Sequence, residues 1–292
     1  MGVVNVTPDS FYDGGSFFDH DSAVRHALEL ADAGADVIDV GGESSRPGAS
    51  PVPESEELRR VLPVIEAIAS RVRVSVDTAK PSVAREALGA GATMLNDISA
   101  RMWELAAEHG SAWVAMHMRG SPATMQDSPH YDNVADEVRC FLVDRANSAI
   151  EAGVTEVWLD PGIGFGKTAV HNLTLLRDLP RLVREGFPVV IGTSRKSFLG
   201  RIAPRGDGSV APAEERLEAS VATATWAMLA GASMVRVHDV APTVQAATLV
   251  GPARLGHGLG QEARAGSSGG GSAEGAIHEG RGTGGPDMRG QT

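Results

Sequence analysis

Acidic and amide side chains stand at the ends of short apolar runs in this chain. Asp77 ends "RVRVSVD", Asn96 lies near the end of "TMLND", and Asp160 ends "EVWLD". A carboxylate accepts paired N–H bonds, and an amide both donates and accepts hydrogen bonds. Such groups suit a nitrogen-rich heterocycle, so we predict that Asp77, Asn96 and Asp160 bind one.

Cationic side chains stand beside other apolar runs, namely Arg46, Arg195, Lys196, Arg236 and His238. A lone arginine or lysine is usually a solvated surface charge. Five of them in this setting, in a chain with a formal net charge of −11, indicate a specific placement. Guanidinium and ammonium groups bind phosphate oxygens. We therefore predict a phosphate or diphosphate site beside the heterocycle.

The stretch "VWLDPGIGFGKTAV" has two interpretations. It nearly matches the phosphate-binding loop G-x-x-x-x-G-K-[ST], but Pro161 stands where that motif has its first glycine. A phosphate-binding loop also predicts an open sheet and a helix whose N-terminus meets phosphate. We favour Asp160 as the functional residue, with "PGIGFGK" forming one wall of its pocket. For Phe165 and Lys167 the sequence leaves two alternatives open: they line that wall, or they serve only loop packing and exposure to solvent.

The order of predicted elements indicates how these residues come together. Eight apolar runs alternate with helical segments, and runs this uniformly apolar are typical of parallel strands covered by helices. Six of the helical segments are predicted to end at a glycine, namely Gly34, Gly91, Gly110, Gly153, Gly186 and Gly231. Eight strand–helix units in about 255 residues predict an α/β fold, a TIM (β/α)8 barrel. The alternative, an open doubly wound sheet, needs a glycine-rich turn after its first strand, and "NVTPDSFYDGG" does not fit it. The polar residues at the run ends, which a barrel would gather at its mouth, are Asn5, Glu43, Asp77, Asn96, Asp97, His117, Asp160, Ser194 and His238.

Composition divides the chain into a barrel domain, residues 1–255, and a tail, residues 256–292. Thirteen of the 37 tail residues are glycine, and large aliphatic residues are scarce there. Such a segment buries too little apolar surface to offset the entropy of ordering it, so we predict a disordered Gly/Ser-rich tail.

Bulk properties limit the classes of function. The acidic balance disfavours nucleic acid and anionic membranes as partners. No apolar run is long enough to span a bilayer and no signal segment opens the chain, so we expect a soluble cytoplasmic protein. Cys140 is the only cysteine, which excludes an intramolecular disulfide and a cysteine-based zinc site.

At these residues the sequence resembles the dihydropteroate synthase family over residues 1 to about 250. The resemblance rests on motifs in the same order, each at a predicted strand: "MGVVNVTPDSFYDGG", "DVGGESSRPGA", "VSVDT", "LNDIS", "MHMRG", "LDPGIGFGK", "GTSRKSFLG" and "VRVHDV". It implies a TIM barrel that condenses a hydroxymethyl-dihydropterin diphosphate with 4-aminobenzoate, a transferase reaction of folate biosynthesis. It also implies a homodimer.

The resemblance implies a role for each residue that matches a family motif. Asp77, Asn96, Asp160 and Lys196 would hold the pterin ring, and Asp77, Asp160 and Lys196 would act in catalysis. Diphosphate would bind to Asn5, Arg236 and His238, with Asn5 also near Mg²⁺. The aminobenzoate site would be formed by Ser45, Arg46, Pro47 and Ser194.

Two alternatives keep a pterin site but change the function. A pterin-dependent methyltransferase domain needs no diphosphate pocket and no arylamine loop, so "ESSRPG", "TSRKS" and "RVHD" favour the synthase. A non-catalytic pterin-binding paralogue would explain Tyr12 and Ser45, where the family usually has serine and threonine, and the short loop after Asn96.

Overall fold

The computed structural model describes residues 1–7, 20–44, 50–122 and 124–254. Eight strands alternate with helices along this part of the chain. Their bounds are β1 Gly2–Asn5, β2 Val37–Gly41, β3 Arg73–Thr78, β4 Met94–Asp97, β5 Ala112–Met116, β6 Val157–Asp160, β7 Val190–Ile191 and β8 Met234–Val235. Seven of the strands fall within predicted apolar runs, and β3 extends one residue beyond its run, to Thr78.

The strands form a closed parallel barrel. Strands β1 to β6 pair in sequence order, and β7 pairs with β8. A parallel bridge between Leu159 and Val189 joins the two sheets on one side, and a bridge between Gly2 and Val237 closes the barrel on the other. The closing seam includes a hydrogen bond of 3.0 Å from the Val3 amide to the Val237 carbonyl. The predicted TIM barrel is therefore confirmed, and the doubly wound alternative is wrong.

Helices cover the outside of the barrel, with more of them in the described residues than the eight units require. Their bounds are α1 His20–Asp32, α2 Glu54–Ile68, α3 Pro81–Gly89, α4 Trp103–Glu108, α5 Val134–Glu151, α6 Ala169–Arg177, α7 Leu179–Val183, α8 Ser197–Ile202, α9 Leu217–Leu229 and α10 Val240–Arg254. The β6–β7 connection holds two helices, because the chain turns at Asp178 before Pro180. The β7–β8 connection also holds two, α8 and α9.

The predicted glycine helix ends are confirmed by their backbone angles. Gly34, Gly91, Gly110, Gly153, Gly186 and Gly231 all have positive φ, between 61° and 115°. This left-handed conformation strains residues that carry a Cβ atom and ends a helix so that the next strand can begin.

Packing of helix against strand explains where the core lies. Helix α2 buries Val61, Val64, Ile65 and Ile68, which follow the spacing of one helical face. These residues join strand residues such as Val76 in one apolar cluster between the barrel and its helices. Burying each such side chain contributes on the order of 1.5–3 kcal/mol.

The fold does not test three of the sequence predictions, which concern the tail, the domain boundary and the cytoplasmic location. Among the described residues no helix is both long enough and apolar enough to cross a membrane. The predicted tail, residues 256–292, lies outside the described residues, and the domain boundary at 255 stays a prediction, as does the cytoplasmic location.

Candidate active site

The strand register brings the predicted ring-binding residues to one end of the barrel. Asp77 on β3 lies opposite Asn96 on β4, and Asp160 on β6 lies opposite Met116 on β5. Because the strands are parallel, their carboxyl ends meet at the same rim. We call the polar cup the group of side chains Asp39, Asp77, Asn96, Asp160, Lys196 and Arg236.

Arg236 joins two carboxylates within the polar cup. Its Nε donates to Asp39 Oδ2 and its Nη2 donates to Asp77 Oδ2, each at 2.6 Å. Asn96 Nδ2 donates to the same Asp39 oxygen at 2.9 Å. These short charge-assisted bonds fix Arg236 and Asn96 at the rim of the cup.

Asp39 is a site residue that sequence reasoning missed. It lies in the middle of β2 and is fully buried, with relative exposure 0%. The signal was a carboxylate inside the apolar run "DVIDVGG", where burial demands a partner. Its second oxygen, Oδ1, has no hydrogen-bond partner among the described residues.

Burial changes the proton affinities of the carboxylates in the polar cup. Burial raises the pKa of Asp77 to about 7, although the charge of Arg236 opposes the rise. Burial also raises the pKa of Asp160, against the charge of Lys196. Nearby carboxylates add to the effect at Asp77, because like charges disfavour ionisation. Perturbed carboxylates of this kind are typical of functional sites.

Lys196 reaches the cup from the loop after β7. Its ammonium group donates to the Ile163 carbonyl and lies 4.5 Å from the ring centroid of Phe165. Burial lowers the pKa of Lys196 to about 8, while Asp160 opposes the change. The preceding residue, Arg195, has φ of 57°, and Ser220 Oγ accepts a hydrogen bond of 2.9 Å from the Arg195 amide. This held left-handed turn directs Lys196 toward the cup.

The loop between β6 and α6, residues 161–167, is the wall loop. Its last residue, Lys167, is buried, with relative exposure 3%. The lysine Nζ donates to the carbonyls of His117 at 3.2 Å and Phe165 at 3.0 Å, and lies 3.0 Å from His117 Nδ1. Lys167 therefore points into the protein and away from any phosphate site, which excludes the phosphate-binding-loop interpretation. Asp160 anchors the other end of the loop, because its Oδ1 accepts from the Gly162 amide at 2.7 Å.

Two residues predicted for the diphosphate and aminobenzoate sites are in contact. His238 Nδ1 lies 3.0 Å from Ser194 Oγ, which also accepts a hydrogen bond of 3.1 Å from the His238 amide. Arg195 differs from the prediction, because its guanidinium pairs with Asp239 at 2.6 and 2.9 Å instead of lying open to a phosphate. Asn5 ends β1, opposite Gly41, at the same rim.

Several run-end residues serve structure. The Asp97 carboxylate accepts bonds from the amides of Ser99, Arg101 and Met102, which holds the short loop after Asn96. Burial and the Lys167 charge lower the pKa of His117 to about 3, so its ring is neutral beneath the wall loop. Glu43 pairs with Lys80, outside the cup.

The residues predicted for the aminobenzoate loop are not among those that the structure describes. Ser45, Arg46 and Pro47, together with Tyr12, lie outside the described residues.

The side chains at the rim that could act as metal ligands limit how a metal ion could bind. No group of three His, Cys, Asp or Glu side chains in the described ranges could hold a metal ion. Mg²⁺ commonly keeps water ligands and binds through one or two protein oxygens together with substrate phosphates. The single amide oxygen of Asn5 fits an ion that arrives with a diphosphate.

The comparisons with known proteins agree with this barrel and its polar rim. Residues 1–238 match the family model described as pterin binding enzyme. The chain belongs to this family.

The relatives narrow the assignment to one enzyme class. The dihydropteroate synthase of Escherichia coli K12 is 46% identical over 258 residues, covering 86% of this chain and 89% of that protein. A Xanthomonas albilineans dihydropteroate synthase structure with 4-aminobenzoic acid is 46% identical and superposes with a TM-score of 0.80, covering 87% of this chain and 92% of the other. Another structure of that enzyme, in complex with 7,8-dihydropteroate, is 44% identical with a TM-score of 0.77, at the same coverage. The resemblance to dihydropteroate synthases is confirmed.

Proposed function

We propose that this chain condenses (7,8-dihydropterin-6-yl)methyl diphosphate with 4-aminobenzoate, forming 7,8-dihydropteroate and diphosphate. The observation that carries this proposal is the polar cup itself. The buried carboxylate of Asp160 and the partly buried carboxylate of Asp77 share one rim with the cations Lys196 and Arg236. The substrate has the matching halves, a ring rich in N–H groups and an anionic diphosphate.

The acidic half of the cup would hold the pterin ring. The carboxylates of Asp77 and Asp160 accept N–H bonds from the ring, and the Asn96 amide completes the set. Asn96 is 5% exposed and Asp160 is 6% exposed, so water competes little for these bonds. Lys196, whose ammonium group contacts the wall loop at Ile163 and Phe165, would supply a donor for ring acceptors.

The cationic side would hold the diphosphate. Arg236 is part of the cup, and His238 follows it two residues later, next to Ser194. Asp39 and Asp77 outweigh the effect of burial and raise the pKa of Arg236, so this guanidinium stays charged at every working pH. Asn5 would hold Mg²⁺ through its amide oxygen. Bound magnesium supplies charge neutralisation to the leaving diphosphate.

Charge placement explains the reaction without a side-chain nucleophile. The bond between the exocyclic methylene carbon and the diphosphate oxygen breaks, and the electron pair leaves with diphosphate. Positive character on the methylene spreads into the pterin, where the carboxylates of Asp77 and Asp160 stabilise it. The arylamine nitrogen forms the new bond to carbon and loses one proton. Orientation of the two substrates supplies much of the remaining rate.

Release of diphosphate tests the proposal. Purified protein is mixed with the pterin diphosphate and Mg²⁺, with and without 4-aminobenzoate. We expect release that depends on the arylamine, is lost in Lys196→Ala and Asp77→Ala, and is kept in the surface control Arg85→Ala. If the folded protein binds the pterin diphosphate but releases no diphosphate with the arylamine, the chain is a binding paralogue and the proposal is wrong.

The quaternary structure is a separate proposal. The homodimer that the family resemblance implies stays a prediction, and the mass of the purified protein in sedimentation equilibrium tests it.

A further inference from the structure

A strained turn, residues 194–196, connects β7 to helix α8 and carries Lys196 into the polar cup. We call this segment the lysine turn. Its middle residue, Arg195, has φ of 57°, in the left-handed region that strains a residue with a Cβ atom. Such a conformation persists only where the surrounding structure holds it, and it often marks a functional site. The contacts of Arg195 therefore decide how firmly Lys196 is placed.

The amide, the carbonyl and the guanidinium of Arg195 are all bound, by three other parts of the chain. The amide donates to Ser220 Oγ on helix α9 at 2.9 Å, and the carbonyl accepts from Arg216 Nη1 at 2.7 Å. Ser220 Oγ in turn donates to the Arg216 carbonyl, which joins these two partners to each other. The guanidinium donates to Asp239 from Nε at 2.9 Å and from Nη2 at 2.6 Å.

The Arg195–Asp239 ion pair joins the lysine turn to the segment between β8 and α10. The two parallel N–H···O bonds hold guanidinium and carboxylate in one relative orientation. The Asp239 side chain is 19% exposed and that of Arg195 is 38% exposed. Single exposed ion pairs contribute little stability, whereas a bidentate pair restricts geometry. We therefore expect Asp239 to contribute more to the position of the turn than to its stability.

The same pairing argues against direct contact between Arg195 and a phosphate. Its hydrogen bonds to Asp239 outweigh burial and raise the pKa of Arg195. A guanidinium whose charge is already matched by a carboxylate attracts an anion less strongly than an unpaired one. The group from this turn that reaches the cup is the ammonium of Lys196, which donates to the Ile163 carbonyl.

We propose that Arg195 is a positioning residue for the pterin site: held by Asp239, it keeps the lysine turn in the conformation that places the Lys196 ammonium group in the polar cup. Arg195 thereby strengthens binding of the pterin without touching it. Because Lys196 follows Arg195 directly, a change of the Arg195 backbone out of the left-handed region would redirect the lysine side chain. This inference rests on the proposed function.

Removing either partner of the ion pair separates positioning from direct contact. In Arg195→Met and in Asp239→Asn we expect the dissociation constant of the pterin diphosphate, measured by calorimetry without 4-aminobenzoate, to rise about tenfold. The double variant should lie within about twofold of either single variant, because the two side chains act as one pair. Direct phosphate contact predicts that Asp239→Asn, which releases the guanidinium, keeps or strengthens binding. That result would overturn the inference, as would unchanged binding in both single variants.

Ser220→Ala reaches the same turn from helix α9. It removes the acceptor of the Arg195 amide while Asp239 and the neighbouring His238 stay in place. We expect the dissociation constant to rise about fivefold in this variant, the effect of one lost hydrogen bond. A loss of affinity confined to Asp239→Asn would assign the effect to His238 and contradict the proposed role of Arg195.

The pH dependence of binding reports whether Lys196 has moved. Burial lowers the pKa of Lys196 to about 8. The charged groups around the Lys196 ammonium are those of Asp77, Asp160, Lys167 and Arg236. A lysine that leaves the cup for water regains a pKa nearer its ordinary value, so the alkaline weakening of binding should move to higher pH.

Asp239→Asn makes this measurement decisive. Loss of a negative charge by itself favours the neutral lysine and would move the alkaline limb to lower pH. A shift to higher pH in this variant therefore reports movement of Lys196. Weaker binding with an alkaline limb that stays near pH 8, or moves lower, would overturn the inference.

The matched control is the ion pair between Arg73 and Glu156, at the opposite end of the barrel. Arg73 donates to both Glu156 oxygens, at 3.0 and 2.8 Å, and the side chains are 35% and 40% exposed. Glu156→Gln should leave the dissociation constant within about twofold. A loss as large as in Asp239→Asn would contradict a specific role for the lysine turn. Failure of the proposed function looks different, because the unmodified protein would then release no diphosphate with 4-aminobenzoate.

Discussion

At the scale of single residues, the site depends on ionisable side chains whose pKa values burial shifts toward neutral pH. Burial raises the pKa of Asp77 to about 7 and lowers that of Lys196 to about 8. Sequence reasoning predicted Asp77 from its place at the end of an apolar run and Lys196 from its place beside another. Asp39 was missed, because its hydrogen-bond partners, Asn96 and Arg236, are distant in the sequence and reach it only in the folded barrel.

The ionisation of the polar cup predicts a narrow pH optimum. As pH rises through about 7, Asp77 becomes the carboxylate that accepts ring N–H bonds, so kcat/KM for the pterin diphosphate should rise. As pH rises through about 8, Lys196 loses its proton and kcat/KM should fall. Steady-state rates from pH 5.5 to about 9.5 measure this bell-shaped pH profile. The two pKa values of a kcat/KM profile belong to ionisable groups of the free enzyme.

Lys196→Arg provides the control for the alkaline side of the bell. Arginine keeps its charge above pH 10, so the fall near pH 8 should disappear even if the maximal rate is lower. An alkaline fall that stays at the same pH in this variant would show that another group causes it.

At the scale of elements, the wall loop shows what the sequence could and could not predict. The glycine-rich stretch after Asp160 was predicted as one wall of the pocket. The role of Lys167 stayed open, because two of the three atoms around its ammonium group belong to His117, in a loop that meets the wall loop only in the folded barrel. Gly162 is similar: its φ of 64° and its contact with the β5–α5 loop depend on tertiary packing.

Two glycines with nearly the same backbone angle predict different costs of substitution. Gly110 has φ of 61° with nothing within 4 Å of an added Cβ, whereas a Cβ on Gly162 would lie 1.8 Å from the His117 carbonyl oxygen. Gly110→Ala should lower the free energy of unfolding by about 1–2 kcal/mol, the cost of a left-handed residue with a Cβ. Gly162→Ala should cost at least about 1–3 kcal/mol more, because backbone must move to relieve the overlap.

Urea unfolding of both variants measures the difference, and calorimetry with the pterin diphosphate measures its effect on the site. Gly162→Ala should weaken binding because the wall loop shifts, and Gly110→Ala should not. Equal losses of stability in the two variants would contradict the tight contact between the wall loop and His117.

At the scale of the whole molecule, the barrel was predictable because eight similar units repeat along the chain. Each unit supplies an apolar strand and a helix, and six of the units also supply a glycine helix end, so local signals and the global fold agree. The extra helices in the β6–β7 and β7–β8 connections were not predicted, since nothing in the repeat requires them. The loop residues 45–47 of the predicted aminobenzoate site lie outside the described part of the chain, and their role remains a prediction.

The predicted division at residue 255 leads to a test on the whole chain. Because residues 256–292 carry few large apolar side chains, we expect that ending the chain after residue 255 leaves the thermal midpoint within about 2 °C and the turnover unchanged. Differential scanning calorimetry and the diphosphate-release assay measure the two quantities. A fall of many degrees would show that the tail packs against the barrel.

The central claim is that the polar cup is the pterin site, and calorimetric titration with the pterin diphosphate tests it most directly. The variant is Asp160→Asn, which keeps the shape of the side chain and the acceptor for the Gly162 amide but removes the charge. The control is Asp178→Asn, a partly buried carboxylate at the end of α6 that pairs with the exposed Arg177. We predict one site per chain in the unmodified protein, at least hundredfold weaker binding in Asp160→Asn, about 2.7 kcal/mol, and unchanged binding in the control. Equal affinity in the unmodified protein and Asp160→Asn would contradict the account and place the pterin elsewhere.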